Sequence, residues 1–210
     1  LGLAFDGDAD RCLAVDEKGK EIDGDQIMAV CAEYLTAQGK LKSEGFVATV
    51  MSNLGLHKFC EENHLKLLCA AVGDRNVLEL MQKESMVLGG EQSGHIIFLE
   101  HMTTGDGQLA ALQFLSILGQ SGKKASELAG QITHYPQLLQ NVKVGSNEEK
   151  TAILNSAELA AIVAREEERL AGHGRILLRA SGTEPLIRVM AEADTQDLAE
   201  LVVKTLVQAV

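Results

Sequence analysis

Three aspartates at alternate positions are the strongest chemical feature of this sequence. Asp6, Asp8 and Asp10 lie in the segment DGDADR, between apolar runs at residues 1–5 and 12–15. On one strand the three carboxylates would share a face and repel each other, whereas on a tight loop opened by a glycine they converge on a hard divalent cation. The spacing therefore predicts a loop that binds a cation, with Mg²⁺ as the expected ion.

Three other interpretations of this segment exist. A solvated acidic turn is the plainest of them. An EF-hand loop would use the same aspartates, but Arg11 then stands where a glycine is required, and both flanks are strand-like rather than helical. An aspartyl nucleophile at Asp6 or Asp8 is the main alternative, because a carboxylate that follows a strand can attack a phosphoryl group.

A second polar loop, with the sequence RASGTEP, joins two apolar runs near the C-terminus. Its residue types suit an anion, because a guanidinium fork, hydroxyl groups and a glycine that exposes backbone N–H groups all bind phosphate. The candidate residues are Arg179, Ser181, Gly182, Thr183 and, on the next strand, Arg188. An ordinary hairpin is the competing interpretation, but an arginine placed here in an acidic protein favours phosphate binding.

Two further polar loops follow predicted strands, where a parallel sheet presents residues to a ligand. In GGEQSGH, Glu91 and Ser93 alternate along the chain and offer a carboxylate and a hydroxyl to sugar hydroxyls or an amine. His95 ends this loop, and a lone histidine is more often structural than catalytic. In VGDR, Arg75 is either a ligand contact or a surface residue of the next helix, which Asp74 would cap.

Hydrophobic periodicity indicates the framework that positions these loops. Strand-like runs at residues 46–51, 66–72 and 86–88 alternate with helical patterns at residues 25–38, 56–63, 75–84, 107–118 and 125–131. This alternation predicts an α/β domain on a parallel sheet. Beyond residue 136, strands at 138–144, 175–179 and 186–192 and helices at 155–170 and 196–210 predict a small α+β domain. The runs at 1–5 and 12–15 follow no earlier strand, so we expect their sheet partners to lie outside these residues.

Composition excludes several classes of protein. Thirty acidic against 19 basic residues in 210 give a formal net charge of −11, which argues against a nucleic-acid partner. No apolar run approaches the ~18 residues that a membrane helix needs, so we expect no membrane association. The four cysteines have no CxxC spacing, which argues against a zinc site or a disulfide framework and favours a reducing cytoplasm.

The segments DGDADR, GEQSGH and RASGTEP, in that order along nearly the whole chain, resemble those of the α-D-phosphohexomutase family. GGEQSGH together with VGDR resembles the branch that interconverts glucosamine 6-phosphate and glucosamine 1-phosphate. The resemblance implies an isomerase of four domains, the first of which carries a phosphoserine and is not among these residues. It also implies that residues 1–22 are the tail of the second domain, 23–136 the sugar-binding third domain and 137–210 the phosphate-binding fourth.

The resemblance also implies a role for each candidate residue. Asp6, Asp8 and Asp10 would bind Mg²⁺, and Arg11 would lie beside the transferring phosphoryl group. The implied substrate contacts are Glu91, Ser93, His95, Arg75, Arg179, Ser181, Gly182, Thr183 and Arg188. The expected ligand is a phosphorylated amino sugar in the cytoplasm, and a homodimer is the candidate assembly of the longer protein. Two other functions stay open, an aspartyl sugar phosphatase and a non-catalytic module that binds sugar phosphates.

Overall fold

The chain begins with an antiparallel sheet of three strands in sequence order, β1 (Gly2–Phe5), β2 (Cys12–Val15) and β3 (Glu21–Ile22). A computed structural model, which describes residues 1–182 and 184–210, includes this sheet in a first unit, Leu1–Thr133. The expectation that these strands lack partners within the chain is wrong, because β1 and β2 pair with each other. Cys12 and Ala14 of β2 are fully buried in the core of the first unit.

A four-stranded sheet forms the centre of the first unit. Its order is β5 (Lys66–Ala70), β4 (Gly45–Thr49), β6 (Leu88–Gly90) and β7 (Ile96–Phe98). The predicted parallel pairing is confirmed for β4 with β5 and β6, but β7 runs antiparallel to β6 and makes the sheet mixed. All three residues of β7 are buried, so it lacks the alternation that marks a half-exposed strand.

The predicted helices of the first unit are present. They are α1 (Gly24–Ala37), α2 (Leu54–Glu62), α3 (Asp74–Glu84), α4 (Gly107–Ser121) and α5 (Ala125–Ala129), and a short 3₁₀ turn, Lys42–Glu44, precedes β4. Residues 24–32 of α1 are all buried, which makes it the central helix of this unit. The side chain of Asp23 caps α1 by accepting a hydrogen bond from the backbone N–H of Gln26 at 3.0 Å.

The second unit, His134–Val210, is an antiparallel sheet with helices. Its strands are β8 (Gln137–Lys143), β9 (Gly174–Ala180) and β10 (Leu186–Ala193), with β10 in the middle. Its helices are α6 (Asn147–Leu154), α7 (Ala157–Leu170) and α8 (Gln196–Ala209). The α+β prediction is confirmed, whereas α6 was not predicted. The available signal was Ser146 followed three residues later by Glu149, the pattern of a helix N-terminus.

Two further expectations concern the described residues as a whole. Within residues 1–182 and 184–210, no helix is long and apolar enough to cross a bilayer. Within the described residues none of Cys12, Cys31, Cys60 and Cys69 forms a disulfide, and the first three are buried. Burial raises the pKa of the Cys31 thiol to about 12, so this group stays protonated and unreactive at neutral pH.

Candidate metal centre and ligand loops

The predicted cation loop, residues 6–11, connects β1 to β2. One carboxylate oxygen from each of Asp6, Asp8 and Asp10 lies within 4.8 Å of the other two, so the three side chains converge. The turn is tight, since the N–H of Ala9 donates to the carbonyl of Asp6 at 3.2 Å and Ala9 adopts a φ of 60°. Convergence of like charges on a strained turn is typical of a site that a ligand completes.

The electrostatics of the cation loop fit a bound cation. Desolvation raises the pKa of Asp6, but the backbone N–H of Arg11 and the neighbouring side chains bring it below its ordinary value. Desolvation and the charges of Asp8 and Asp6 raise the pKa of Asp10. Oδ1 of Asp10 is buried and has no hydrogen-bond partner in the described part of the chain, and Nε of Arg11 is 3.9 Å away. Three carboxylates with an unpartnered oxygen form a donor set that Mg²⁺ prefers.

Backbone contacts from two distant segments hold the cation loop. The N–H of Cys12 donates to the carbonyl of Gly94 at 3.1 Å, and the N–H of Gly107 donates to that of Ala9 at 3.0 Å. A Cβ atom on Gly94 would collide with the carbonyl oxygen of Cys12, and one on Gly107 with that of Arg11. Gly94 also has a φ of +92°. Glycine is therefore required at both positions. Gly107 was not a predicted site residue, although the GDG segment before α4 was a signal for it.

His95 lies against the cation loop. Its Nε2 atom is 3.5 Å from Oδ2 of Asp10 and accepts a hydrogen bond from the N–H of Gly105 at 3.2 Å. A nitrogen that accepts carries no proton, which places the imidazole proton on Nδ1. Nδ1 is buried without a hydrogen-bond partner among the described residues. In this tautomer Nε2 has no proton to donate to Asp10, so the structure places His95 beside Asp10 without a hydrogen bond between them. The predicted contact of His95 with substrate stays a prediction.

The sugar loop, residues 91–95, turns from β6 into β7. Oγ of Ser93 donates to Oε2 of Glu91 at 3.4 Å, so the two predicted sugar contacts lie together. The loop rests on the N-terminus of α1, where the N–H of Gly24 donates to the carbonyl of Gln92 at 2.9 Å. Glu91 is partly exposed and Ser93 is exposed, which leaves a carboxylate and a hydroxyl accessible to a polar ligand. Their contact with a sugar stays a prediction.

The VGDR segment joins the sugar loop through its backbone. The N–H of Gly73 donates to Oε1 of Glu91 at 3.0 Å. Gly73, and not Asp74, is the N-cap residue of α3. Nε of Arg75 donates to Glu79 at 2.7 Å, and its side chain is 86% exposed. The geometry of Arg75 is that of a surface ion pair one helical turn apart, and its contact with substrate stays a prediction.

Two arginines flank the phosphate loop, which comprises residues 181–185 between β9 and β10. Arg179 on β9 and Arg188 on β10 lie directly opposite each other. Nε of each is buried and lacks a hydrogen-bond partner among the described residues. Burial lowers the pKa of Arg179, and the charge of Arg188 lowers it further. Both guanidinium groups nevertheless stay charged at neutral pH and repel each other, so an anion that binds both would stabilise the pair.

The loop itself is built around Ser181 and Gly182. Oγ of Ser181 accepts a hydrogen bond from the N–H of Glu184 at 3.3 Å, so this hydroxyl shapes the turn. Gly182 is exposed, and a Cβ atom on it would meet no atom within 4 Å. Thr183 lies outside the described residues, and its predicted contact with phosphate stays a prediction. The buried Lys150 of α6, which was not predicted, donates to the carbonyls of Ser181 and Glu184.

Comparison with known proteins places the chain in a family. Residues 23–135 match the α/β/α domain III of phosphoglucomutase/phosphomannomutase, and residues 139–209 match the C-terminal domain of the same family. The chain is a member of the phosphohexomutase family. This phosphohexomutase is 51% identical over 210 residues to a phosphoglucosamine mutase of Exiguobacterium sibiricum, which covers 100% of the chain and 46% of that protein. It is 56% identical over 200 residues to one of Anoxybacillus flavithermus, with coverages of 95% and 44%.

Solved phosphohexomutase structures share the fold. Aspergillus fumigatus N-acetylphosphoglucosamine mutase, in complex with GlcNAc-6P and magnesium, gives a TM-score of 0.80 at 22% identity. That match covers 99% of this chain and 48% of the solved one. An N-acetylglucosamine-phosphate mutase in its product complex gives a TM-score of 0.81 at 23% identity, with the same coverages. The predicted family and α/β fold are confirmed, and the chain spans less than half the length of the relatives it matches.

Proposed function

We propose that this chain is part of a phosphoglucosamine mutase, which interconverts glucosamine 6-phosphate and glucosamine 1-phosphate. The observation that carries the proposal is the pair Arg179 and Arg188, whose charges face each other across two strands with both Nε atoms unpartnered among the described residues. In a protein of net charge −11, such a pair fits a phosphate dianion. The identity of 51% to a protein of that name over all 210 residues supports the substrate class.

Phosphoryl transfer depends mainly on positioning and on neutralising negative charge. Asp6, Asp8 and Asp10 would hold Mg²⁺, which supplies charge neutralisation at the transferring phosphoryl group when it is bound. Nε of Arg11 lies 3.7 Å from Oδ2 of Asp6, and half of its side chain is exposed. Asp6 therefore orients a guanidinium that remains accessible to a phosphoryl oxygen. We assign this contact with the transferring group to Arg11.

The other loops would bind the rest of the substrate. Glu91 and Ser93 offer a carboxylate and a hydroxyl to the amine and hydroxyl groups of the sugar. Arg179 and Arg188 would hold the phosphate group that is not transferred. We further propose that the phosphoserine of the reaction is contributed by residues outside these 210, so that the chain binds sugar phosphate without turning it over. The four cysteines form no disulfide among the described residues, which supports a cytoplasmic location.

Calorimetric titration of the chain with glucosamine 6-phosphate tests the proposal. We expect Arg179→Ala to weaken binding by about 10- to 100-fold, since a hydrogen bond to a charged group contributes roughly 1.5–3 kcal/mol. Arg179→Lys should recover part of the loss, because an ammonium keeps the charge without the bidentate fork. Arg165→Ala, which removes an arginine that is 60% exposed in the same unit, should leave binding unchanged.

Two outcomes would contradict the proposal. If the chain does not bind glucosamine 6-phosphate, the phosphate loop is not a phosphate-binding site. Incubation with glucosamine 6-phosphate labelled on phosphorus separates the phosphatase alternative, since label transferred to Asp6 or Asp8 and then released as inorganic phosphate would identify an aspartyl nucleophile.

A further inference from the structure

Lys150 is a buried lysine whose ammonium group has no carboxylate partner among the described residues. It is 7% exposed, and its Nζ donates to the carbonyl of Ser181 at 2.8 Å and to that of Glu184 at 3.0 Å. Burial of an ammonium is unfavourable unless dipoles or charges compensate it. Two carbonyl dipoles compensate part of this cost, but they leave the full positive charge in place.

Helix stability does not account for this lysine. Lys150 lies in the first turns of α6, where the helix dipole favours acidic residues and disfavours a cation. The acidic neighbour Glu149 does not pair with it, because the Glu149 carboxylate accepts a hydrogen bond from the N–H of Gly145 at 2.6 Å. The position of the ammonium is therefore explained by the phosphate loop and not by its own helix.

The two carbonyls that Lys150 contacts lie near opposite ends of the phosphate loop. Ser181 directly follows β9, and Glu184 lies two residues before β10. One ammonium thus contacts both ends of the turn, which the N–H of Ser181 also closes by donating to the carbonyl of Leu186 at 3.0 Å. Peptide units are planar and trans, so the Ser181 carbonyl that faces Lys150 directs the N–H of Gly182 to the opposite side of the loop. Gly182 is exposed, and an anion on that side can accept from this N–H.

The charge of Lys150 has the same sign as that of the two arginines that flank the phosphate loop. Arg179 and Arg188 flank the same loop, and neither Nε has a hydrogen-bond partner among the described residues. A hydrogen bond from an ammonium to a carbonyl also polarises that peptide and strengthens its N–H as a donor. A third positive charge on a loop that two arginines already flank is unfavourable for the free protein and favourable for a bound anion.

We infer that Lys150 is a positioning residue of the phosphate site, which holds the phosphate loop in its binding shape and adds a third positive charge to the site. This role rests on the proposed function, because it takes the phosphate loop as the part of the chain that binds sugar phosphate. It assigns a function to α6 and extends the site beyond the segment RASGTEP.

Three variants of the 210-residue chain separate the two contributions of Lys150. Lys150→Met removes the hydrogen bonds and the charge, Lys150→Gln keeps N–H donors without the charge, and Lys204→Met removes one exposed charge from α8 as a matched control. Each is titrated calorimetrically with glucosamine 6-phosphate and with inorganic phosphate. The backbone amide signal of Gly182 is followed by ¹⁵N NMR in the same titrations.

We expect Lys150→Met to bind both ligands about tenfold more weakly, and its Gly182 amide to lose its response to phosphate. Lys150→Gln should bind about threefold more weakly and keep that response, because charge-assisted hydrogen bonds are roughly twice as strong as neutral ones. Lys204→Met should behave as the wild type.

The result that overturns this inference differs from failure of the proposed function. Wild-type affinity in both Lys150 variants, together with weak binding by Arg179→Ala, would show that Lys150 does not contribute to phosphate binding. The proposed function would still hold. If the wild-type chain binds neither glucosamine 6-phosphate nor inorganic phosphate, the result contradicts both the proposed function and this inference. If circular dichroism shows that Lys150→Met is unfolded, Lys150→Gln decides, because unchanged affinity for inorganic phosphate in that variant would contradict the contribution of the charge.

Discussion

The cation loop of the first unit and the phosphate loop of the second are both connections between antiparallel strands, and each gathers charges of one sign. Asp6, Asp8 and Asp10 converge within 4.8 Å in one, and Arg179 faces Arg188 beside the other. Each set is self-repelling until an ion of opposite charge binds. The loops differ in part of their support, since close backbone contacts at Gly94 and Gly107 hold the first, whereas the second combines backbone hydrogen bonds of its own turn with two hydrogen bonds from the side chain of Lys150.

This difference suits the ions that the loops are proposed to bind. Mg²⁺ is small and requires near-octahedral oxygen ligands at fixed distances, so a rigid backbone is an advantage. A phosphate group is larger and binds through charge and several N–H donors, so a loop held at its two ends is sufficient. We therefore expect substitution of the glycines that pack against the cation loop to affect folding, and substitution of the glycine in the phosphate loop to affect mainly ligand binding.

The largest effect should come from Gly94→Ala. The new Cβ would collide with the carbonyl of Cys12, and the φ of +92° is unfavourable for alanine. Strain and overpacking together should lower the free energy of unfolding by about 3–5 kcal/mol, measured by urea denaturation. Gly119→Ala in α4, where a Cβ meets nothing, is the control and should raise stability by about 0.5–1 kcal/mol. Wild-type stability in Gly94→Ala would show that the cation loop is not held rigidly by its backbone.

A slightly smaller effect should follow from adding or removing Mg²⁺. At a concentration about 100 times its dissociation constant, Mg²⁺ should raise the free energy of unfolding of the wild-type chain by about 2.7 kcal/mol, and EDTA should reverse this gain. Asp8→Asn should abolish the gain without destabilising the metal-free chain, because it removes a repelling charge. Asp197→Asn, on the exposed first turn of α8, is the control. If Mg²⁺ raises the free energy of unfolding of Asp8→Asn as much as that of the wild type, Asp8 is not a ligand of the proposed metal site.

The features that could be predicted from the sequence are those with local causes. The spacing of Asp6, Asp8 and Asp10 within one short loop predicted their convergence. The α/β and α+β units were predictable because apolar periodicity is a property of each segment by itself. Glu91 and Ser93 lie together as predicted, but the cause is a turn, in which the N–H of Gly94 donates to the carbonyl of Glu91 at 3.0 Å, and not the alternation of an extended segment.

The features that were missed have distant causes. The requirement for glycine at position 107 comes from Ala9 and Arg11, which are far away along the chain. The contact of His95 with Asp10 also depends on the tertiary fold. Lys150 was missed because the residues around it are mostly polar and show no apolar periodicity. Its role becomes visible only when α6 packs beside the phosphate loop and the ammonium reaches two carbonyls.

The smallest effect on stability is expected from Gly182→Ala. This variant tests whether the phosphate loop tolerates a side chain at its glycine better than the backbone around the cation loop does. Among the described residues a Cβ on Gly182 would meet no atom within 4 Å, and its backbone has no positive φ that requires glycine. The free energy of unfolding should therefore stay within about 0.5 kcal/mol of the wild type. If Gly182 is needed because a phosphate oxygen approaches its N–H closely, affinity for glucosamine 6-phosphate should fall about threefold, which corresponds to ~0.7 kcal/mol. Urea denaturation and calorimetry on the same preparation measure the two quantities. A loss of stability comparable to that of Gly94→Ala would mean that the phosphate loop, like the cation loop, is constrained by its backbone.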